Sequence, residues 1–169
     1  GKALEQQIEM LRLKKEHIEN LMDFALGIKM LGVKHMDFKA FDRSKLDEYA
    51  RQAKELYGNL PEYKEMEEKQ KNRNEEEERL LADRFMLLFK EAGEMKDTDP
   101  ASPEAQNLVK RIQDYITENM YTCSNKILRG LGKMYSGGGD FTKNIDEYGG
   151  EGTAVFVDNA IQIYCNHAE

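Results

Sequence analysis

The stretch GLGKMYSGGGDFTKNID, residues 130–146, interrupts a chain that is otherwise dominated by helix-forming patterns. Three consecutive glycines, Gly137 to Gly139, stop a helix because glycine readily adopts the left-handed conformation that commonly ends one. Asp140 is suited to cap the next helix, FTKNIDEY. The stretch lacks the preceding strand and the following Lys-Ser/Thr pair of a phosphate-binding loop. It therefore predicts a junction between two helices of an all-α protein.

Gly130 and Gly132 lie inside the helix before this stop, where each costs about 1 kcal/mol relative to alanine. Two explanations stay open: another helix crosses closely here, or the missing side chains leave room for a ligand. The neighbours in helical projection are aromatic or sulfur-bearing with a few polar groups, which suits a site for large apolar molecules and equally an ordinary core. These neighbours are Asn119, Met120, Tyr121, Cys123, Met134 and Tyr135.

The composition fits the helical class and argues against several functions. The 169 residues, 40% hydrophobic and 34% charged, suffice for one domain with an appendage. A net charge of −7 disfavours binding of a phosphate backbone by this chain alone. Cys123 and Cys165 lie in helical patterns, as in a reduced cytoplasmic protein. With no leader and no apolar run approaching about 18 residues, we expect a cytoplasmic location.

The N-terminal segment has a heptad pattern of apolar residues. A helix of about 28 residues would be roughly 42 Å long, and its narrow stripe needs a second helix to cover it. We predict a dimerisation helix within residues 1–32, pairing through 4–29; a helix lying on its own domain is the alternative. Because the sequence starts at Gly1 and enters this pattern at once, we expect it to be part of a longer protein. The stripe consists of Leu4, Ile8, Leu11, Ile18, Met22 and Ala25.

The region from about residue 35 to residue 70 is poor in core side chains. A second helix ends at Gly58, and Pro61 opens a third, in which Tyr63 and Met66 are the only large apolar groups. Such a helix is marginally stable alone. A mobile pair of helices and an ordinarily packed pair are both compatible with this pattern.

Asn74 is the predicted cap of a strong helix that ends at Gly93. Glu77 is placed to complete a capping box, and the acidic run around it complements the helix dipole without any metal. The predicted buried face of this helix consists of Leu81, Phe85, Leu88 and Ala92.

The longest predicted helix of the domain is capped by Ser102 and runs from Pro103 to about Tyr135, with a slight break allowed at residues 121–124. A closing helix, TAVFVDNAIQIYCNHA, carries two adjacent apolar stripes, which indicates deep burial.

No pattern indicates catalysis. The three histidines, His17, His35 and His167, show no metal-ligand spacing, so we expect no metal site and no cofactor. Neither Cys123 nor Cys165 has a base placed beside it in the sequence. We therefore do not expect an enzyme.

Two motifs taken together carry a resemblance to a known family. The segments EYARQAKELYGNLPEYKE (48–65) and LGKMYSGGGDFTKNID (131–146) resemble the TipAS antibiotic-recognition domain of thiopeptide-responsive activators of the MerR family. Residues 4–32 look like the antiparallel dimerisation helix of MerR-type regulators. The resemblance implies a globin-like drug-binding domain over 33–169, whose part at 35–70 orders over a bound drug.

The resemblance also bears on which residues contact a ligand and how. Laid on YTCSNKILRGLGKMY (121–135), the cysteine that can capture thiopeptides covalently in the founding member falls at Gly130. Cys123 matches its other, non-reactive cysteine, so covalent capture is not expected here. The expected ligand-binding residues are Tyr57 and Tyr63 in the lid, and Phe85, Phe89, Asn119, Tyr121, Cys123, Gly130 and Met134 in the cleft.

The resemblance leads to one functional hypothesis with two rivals. The first is the effector-binding and dimerisation region of a MerR-family activator, a homodimer that contacts DNA only through a further N-terminal head and has no membrane partner. The second is a stand-alone drug-sequestering immunity protein. The third is a coiled-coil interaction protein without a small ligand.

Overall fold

The structure, a computed structural model, describes residues 3–12, 51, 54–55 and 58–167, apart from the side chain of residue 140. These residues form helices and connections and contain no strand, which confirms the predicted all-α class. From residue 61 onward there are six helices. They are α1 (Pro61–Lys71), α2 (Glu75–Glu94), α3 (Pro103–Asn119), α4 (Asn125–Tyr135), α5 (Asp140–Gly149) and α6 (Thr153–His167).

The N-terminal residues 3–12 are helical and exposed. Leu4, Ile8 and Leu11 of the predicted heptad stripe are 63%, 57% and 65% exposed, so nothing in the described part of the chain covers them. The rest of the predicted dimerisation helix lies outside the described residues, as does the greater part of the 35–70 region.

Local capping signals place the helix starts as predicted. Asn74 Oδ1 accepts a hydrogen bond from Glu77 N at 2.8 Å, and Glu77 Oε2 accepts one from Asn74 N at 2.9 Å, so the capping box is complete. Ser102 Oγ caps α3 through Ala105 N at 3.2 Å. Pro61 and Pro103 occupy first turns, where the missing N–H costs nothing.

The prediction of one long helix from Pro103 to Tyr135 is wrong, although the break allowed near its middle is confirmed. α3 ends at Asn119, and α4 begins after Ser124, whose Oγ accepts a hydrogen bond from Ile127 N at 3.2 Å. Ser124 therefore caps a new helix. Residues 120–124, here called the α3–α4 connection, carry Cys123, which was expected inside a helix.

Other predicted boundaries differ by one residue. α2 continues through Gly93 to Glu94, whereas α4 ends at Tyr135 as predicted. α5 begins at Asp140 with Gly139 at the N-cap position, so Asp140 is the first helical residue and not the cap. Helix ends shift easily because their last hydrogen bonds are weakly defined.

α6 is the central helix of the core and contacts α2, α3, α4 and α5. Both of its predicted apolar stripes contribute buried residues: Phe156 and Ala160 from one, Val157 and Ile161 from the other. Its deep burial is thus confirmed. On α2, Phe85 and Ala92 are buried as predicted, together with Met86 and Phe89, while Leu88 packs partly buried against the core.

Two glycines allow helices to cross closely. A Cβ at Gly132 of α4 would lie 2.8 Å from Asp158 Oδ1 and 3.2 Å from Ile161 Cγ2 of α6, which confirms the close-crossing explanation for this glycine. A Cβ at Gly93 of α2 would lie only 2.0 Å from the backbone oxygen of Gly149 in α5. These crossings bring α4 and α5 against the rest of the core.

Candidate functional site

An aromatic cluster joins α2, α3 and α4, and its Tyr135 lies near Cys123 of the α3–α4 connection. Phe85 and Phe89 meet edge to face with ring centroids 5.2 Å apart, and Phe89 meets Tyr135 in the same way at 5.2 Å. Tyr115 stacks on Phe85 at 5.5 Å. Aromatic pairs in these arrangements add to the stabilisation from burial alone. We call Phe85, Phe89, Tyr115 and Tyr135 the aromatic cluster.

The hydroxyls of the two tyrosines in this cluster differ. Tyr115 Oη donates to the backbone oxygen of Leu81 at 2.7 Å. Tyr135 Oη is buried and has no hydrogen-bond partner among the described residues. Burial strongly raises the pKa of Tyr135, and the nearby Cys123 side chain raises it further. The hydroxyl therefore stays protonated and able to donate.

Side chains of α3 hold the α3–α4 connection. Cys123 N donates to Thr117 Oγ1 at 3.1 Å, and Gln113 Nε2 donates to Cys123 O at 2.9 Å. Tyr164 Oη of α6 in turn donates to Gln113 Oε1 at 3.0 Å. The position of Cys123 thus depends on polar side chains of α3 and α6, which no local sequence pattern reveals.

Helix α1 covers the outer side of this connection through polar contacts. Glu65 accepts hydrogen bonds from Thr122 N at 2.9 Å and Thr122 Oγ1 at 3.0 Å, and pairs with Lys69 Nζ at 3.1 Å. Lys69 Nζ also donates to Thr117 O at 2.7 Å. The backbone N–H of Thr122 is the main cause that lowers the pKa of Glu65. We call the contacts of Glu65 with Thr122 the α1 latch.

The predicted ligand-binding residues fall into three groups. Phe85, Phe89, Tyr121 and Cys123 are buried, and Phe85 and Phe89 belong to the aromatic cluster. Tyr63, Asn119, Gly130 and Met134 are half-buried, with Asn119 Nδ2 donating to Tyr115 O at 3.0 Å. Tyr57 lies outside the described residues. Tyr135, which the list of ligand-binding residues leaves out, is joined to Phe89 by tertiary packing.

A separate open groove runs along α5, away from the predicted residues. It is lined by Gly138, Gly139, Thr142, Lys143, Asp146, Glu147 and Glu151. Asp146 is already engaged, because its carboxylate accepts from Gly152 N at 3.3 Å and Ala154 N at 2.9 Å and so caps α6. Within the described ranges, no group of three or more His, Cys, Asp or Glu side chains could hold a metal ion.

The described residues form an all-α helical domain with an aromatic cluster in its core, and comparison with known proteins gives the family. The model of the TipAS antibiotic-recognition domain matches residues 49–164. The chain therefore belongs to the TipAS antibiotic-recognition domain family, as its motifs suggested.

Curated relatives are transcriptional activators. The chain is 30% identical over 182 aligned residues to the HTH-type transcriptional activator mta of Bacillus subtilis, covering 99% of this chain and 68% of the relative. It is 29% identical over 131 residues to the HTH-type transcriptional activator TipA of Streptomyces coelicolor, covering 73% of this chain and 49% of that protein. The chain thus spans about two thirds of one relative and half of the other.

A solved structure has the same fold. It is that of TipAS in complex with nosiheptide, from a thiopeptide antibiotic multidrug resistance system of Streptomyces lividans. It superposes with a TM-score of 0.63 at 24% identity, covering 80% of this chain and 96% of that one. Among the helices that the structure of the present chain describes, none is long and apolar enough to cross a membrane.

Proposed function

We propose that this chain is the effector-binding and dimerisation region of a MerR-family transcriptional activator that senses thiopeptide-like or other bulky drugs. The observation that carries this proposal is the likeness to the mta activator, which extends over 99% of the chain. It therefore includes most of the N-terminal residues that precede the family match at 49–164. A DNA-binding head would precede this segment in the whole protein.

Two copies of the chain would pair through residues 4–29. Leu4, Ile8 and Leu11 are exposed on one helix at heptad spacing. An apolar stripe of this kind gains free energy when a second helix covers it. This support is specific to the regulator, because a monomeric sequestering protein has no use for an exposed heptad stripe.

The drug would bind between α1 and the helices below the α3–α4 connection. Of the side chains of α1, only Met66 is fully buried, and the partly buried Tyr63, the Lys69 hydrogen bond and the α1 latch supply the remaining attachment. A helix held so weakly can be displaced or stabilised by a ligand that supplies apolar surface. Binding would then order residues 35–70 over the drug and change how the dimer helices set two DNA-binding heads on an operator.

Ligand contact would come from the residues identified by sequence and would not be covalent. These residues are Tyr57, Tyr63, Phe85, Phe89, Asn119, Tyr121, Cys123, Gly130 and Met134. Gly130 offers no nucleophile, and Cys123 is 4% exposed, so its sulfur is poorly placed to attack a ligand.

Native mass spectrometry of this chain with and without nosiheptide, followed by denaturation of the same sample, tests the proposal. We expect a dimer that gains the mass of nosiheptide and loses it on denaturation. Replacing Leu4, Ile8 and Leu11 with serine should give a monomer that still binds. A wild-type monomer that binds nosiheptide would favour the sequestering protein, and no binding of any thiopeptide would refute the thiopeptide-sensing part of the proposal.

A further inference from the structure

The side chain of Tyr135 has a hydroxyl whose position the fold does not explain. The hydroxyl is buried and has no hydrogen-bond partner in the described part of the chain. Buried tyrosine hydroxyls normally find a partner, as those of Tyr115 and Tyr164 do here. A phenylalanine would fill the same space without burying an unpaired polar group.

The ring of Tyr135 is held firmly, so the hydroxyl cannot easily turn elsewhere. The edge-to-face contact with Phe89 fixes the ring from one side. Thr142 Oγ1 donates to Tyr135 O at 2.6 Å and fixes its backbone at the end of α4. The donor is therefore preorganised, which reduces the entropy cost of binding an acceptor there.

We propose that the Tyr135 hydroxyl is a hydrogen-bond donor for the ligand, used when a peptide-type antibiotic places a carbonyl oxygen beneath the α3–α4 connection. This inference rests on the proposed drug-binding function and adds a specific contact to it. Neither the family match nor the residues predicted from sequence assign this role to Tyr135.

The chemistry of the site selects the kind of acceptor. Burial raises the pKa of Tyr135, so the hydroxyl keeps its proton and donates. A buried and apolar setting favours a neutral acceptor over an anion, because desolvating a charge costs much more than desolvating a carbonyl. The amide carbonyls of a peptide antibiotic satisfy this requirement.

The Tyr135 hydroxyl lies near the α3–α4 connection. Cys123, the neighbour of Tyr135, belongs to this connection, and the α1 latch binds the adjacent Thr122 from outside. Opening of the α1 latch would uncover this side of the α3–α4 connection. A carbonyl oxygen bound to the Tyr135 hydroxyl would then lie beneath the connection that α1 covers.

Tyr135→Phe and the matched control Tyr115→Phe test the inference, with nosiheptide affinity measured by calorimetry and melting temperature measured without ligand. Tyr135→Phe should bind at least threefold more weakly, as expected for one hydrogen bond. Its melting temperature should equal or exceed that of the wild type. Tyr115→Phe is the control for stability and should melt lower, because it loses the bond to Leu81.

Each other outcome overturns the inference. If the wild type binds nosiheptide and Tyr135→Phe binds it with less than a threefold loss, the hydroxyl is no ligand contact, while the proposed function stands. If Tyr135→Phe melts lower, as Tyr115→Phe is expected to do, the hydroxyl has a structural partner such as an internal water. If the wild type binds no thiopeptide, the thiopeptide-sensing part of the proposed function fails and this inference fails with it.

Discussion

The α1 latch makes the most specific prediction about how the candidate site is covered. Glu65 makes hydrogen bonds to Thr122 N at 2.9 Å and Thr122 Oγ1 at 3.0 Å, and its side chain is 33% exposed. Charged hydrogen bonds contribute about 1.5–3 kcal/mol, which solvent screening reduces here to about 1–2 kcal/mol. Burial of Met66, the other main attachment, contributes about 1.5–3 kcal/mol. The latch is therefore a substantial part of what holds α1, beside the packing of Tyr63 and the hydrogen bond from Lys69 to Thr117 O.

Glu65→Ala should raise the opening equilibrium of α1 about 5- to 30-fold, which corresponds to that loss of about 1–2 kcal/mol. Hydrogen exchange of the α1 amides in the ligand-free protein measures it, because local opening sets their protection. Glu68→Ala is the matched control, an exposed glutamate in the same helix. Equal protection of α1 in Glu65→Ala and the control would refute the latch.

Three further predictions concern helix crossings and pH. Gly93→Ala should destabilise the fold by about 2–4 kcal/mol in urea unfolding, because its Cβ would lie 2.0 Å from the backbone oxygen of Gly149; an unchanged midpoint would contradict the crossing. Gly132→Ala gains about 1 kcal/mol of helix propensity, but its Cβ would lie 2.8 Å from Asp158 Oδ1. Gly132→Ala should therefore raise the free energy of unfolding more in an Asp158→Ala background than in the wild type. Equal changes in both backgrounds would exclude this contact. The folded-state pKa of Glu65 lies below its ordinary value of 4.5, so its contribution is present above pH 4.5 and is lost as the pH falls through the lower folded value. Glu65→Gln should flatten this acid loss of α1 protection, and an unchanged pH profile would rule out Glu65 as its source.

Features encoded by neighbouring residues could be predicted from the sequence. The capping box of Asn74 with Glu77 and the Ser102 cap before Pro103 depend on groups within three residues, and the structure has all of them. The helical class follows from such signals together with the apolar periodicity.

The α3–α4 break was placed less well because the apolar spacing continues across it. Tyr121 and Cys123 fit a helical pattern in the sequence, yet in the structure they are buried residues of the connection. The two helices are separated by the Ser124 cap and by the hydrogen bond that Gln113 Nε2 donates to Cys123 O. Only the first of these has a local sequence signal.

The candidate site could be predicted in part. Phe85 and Phe89 were selected from a helical face, and the structure brings them together. The role proposed for Tyr135 rests on a buried hydroxyl that has no hydrogen-bond partner among the described residues, and a sequence does not show this. Gly93 looked like a helix end, whereas its lack of a side chain serves the contact with Gly149, a tertiary relation between distant residues.

Hydrogen exchange of the wild-type chain with and without saturating nosiheptide is the most direct test of the central claim, that drug binding orders the residues over the α3–α4 connection. The account predicts that nosiheptide increases protection of α1 and of the residues from about 35 to 60, with smaller changes in α6, which is already central to the core. Unchanged protection of α1 in a sample shown to be saturated with nosiheptide would contradict it.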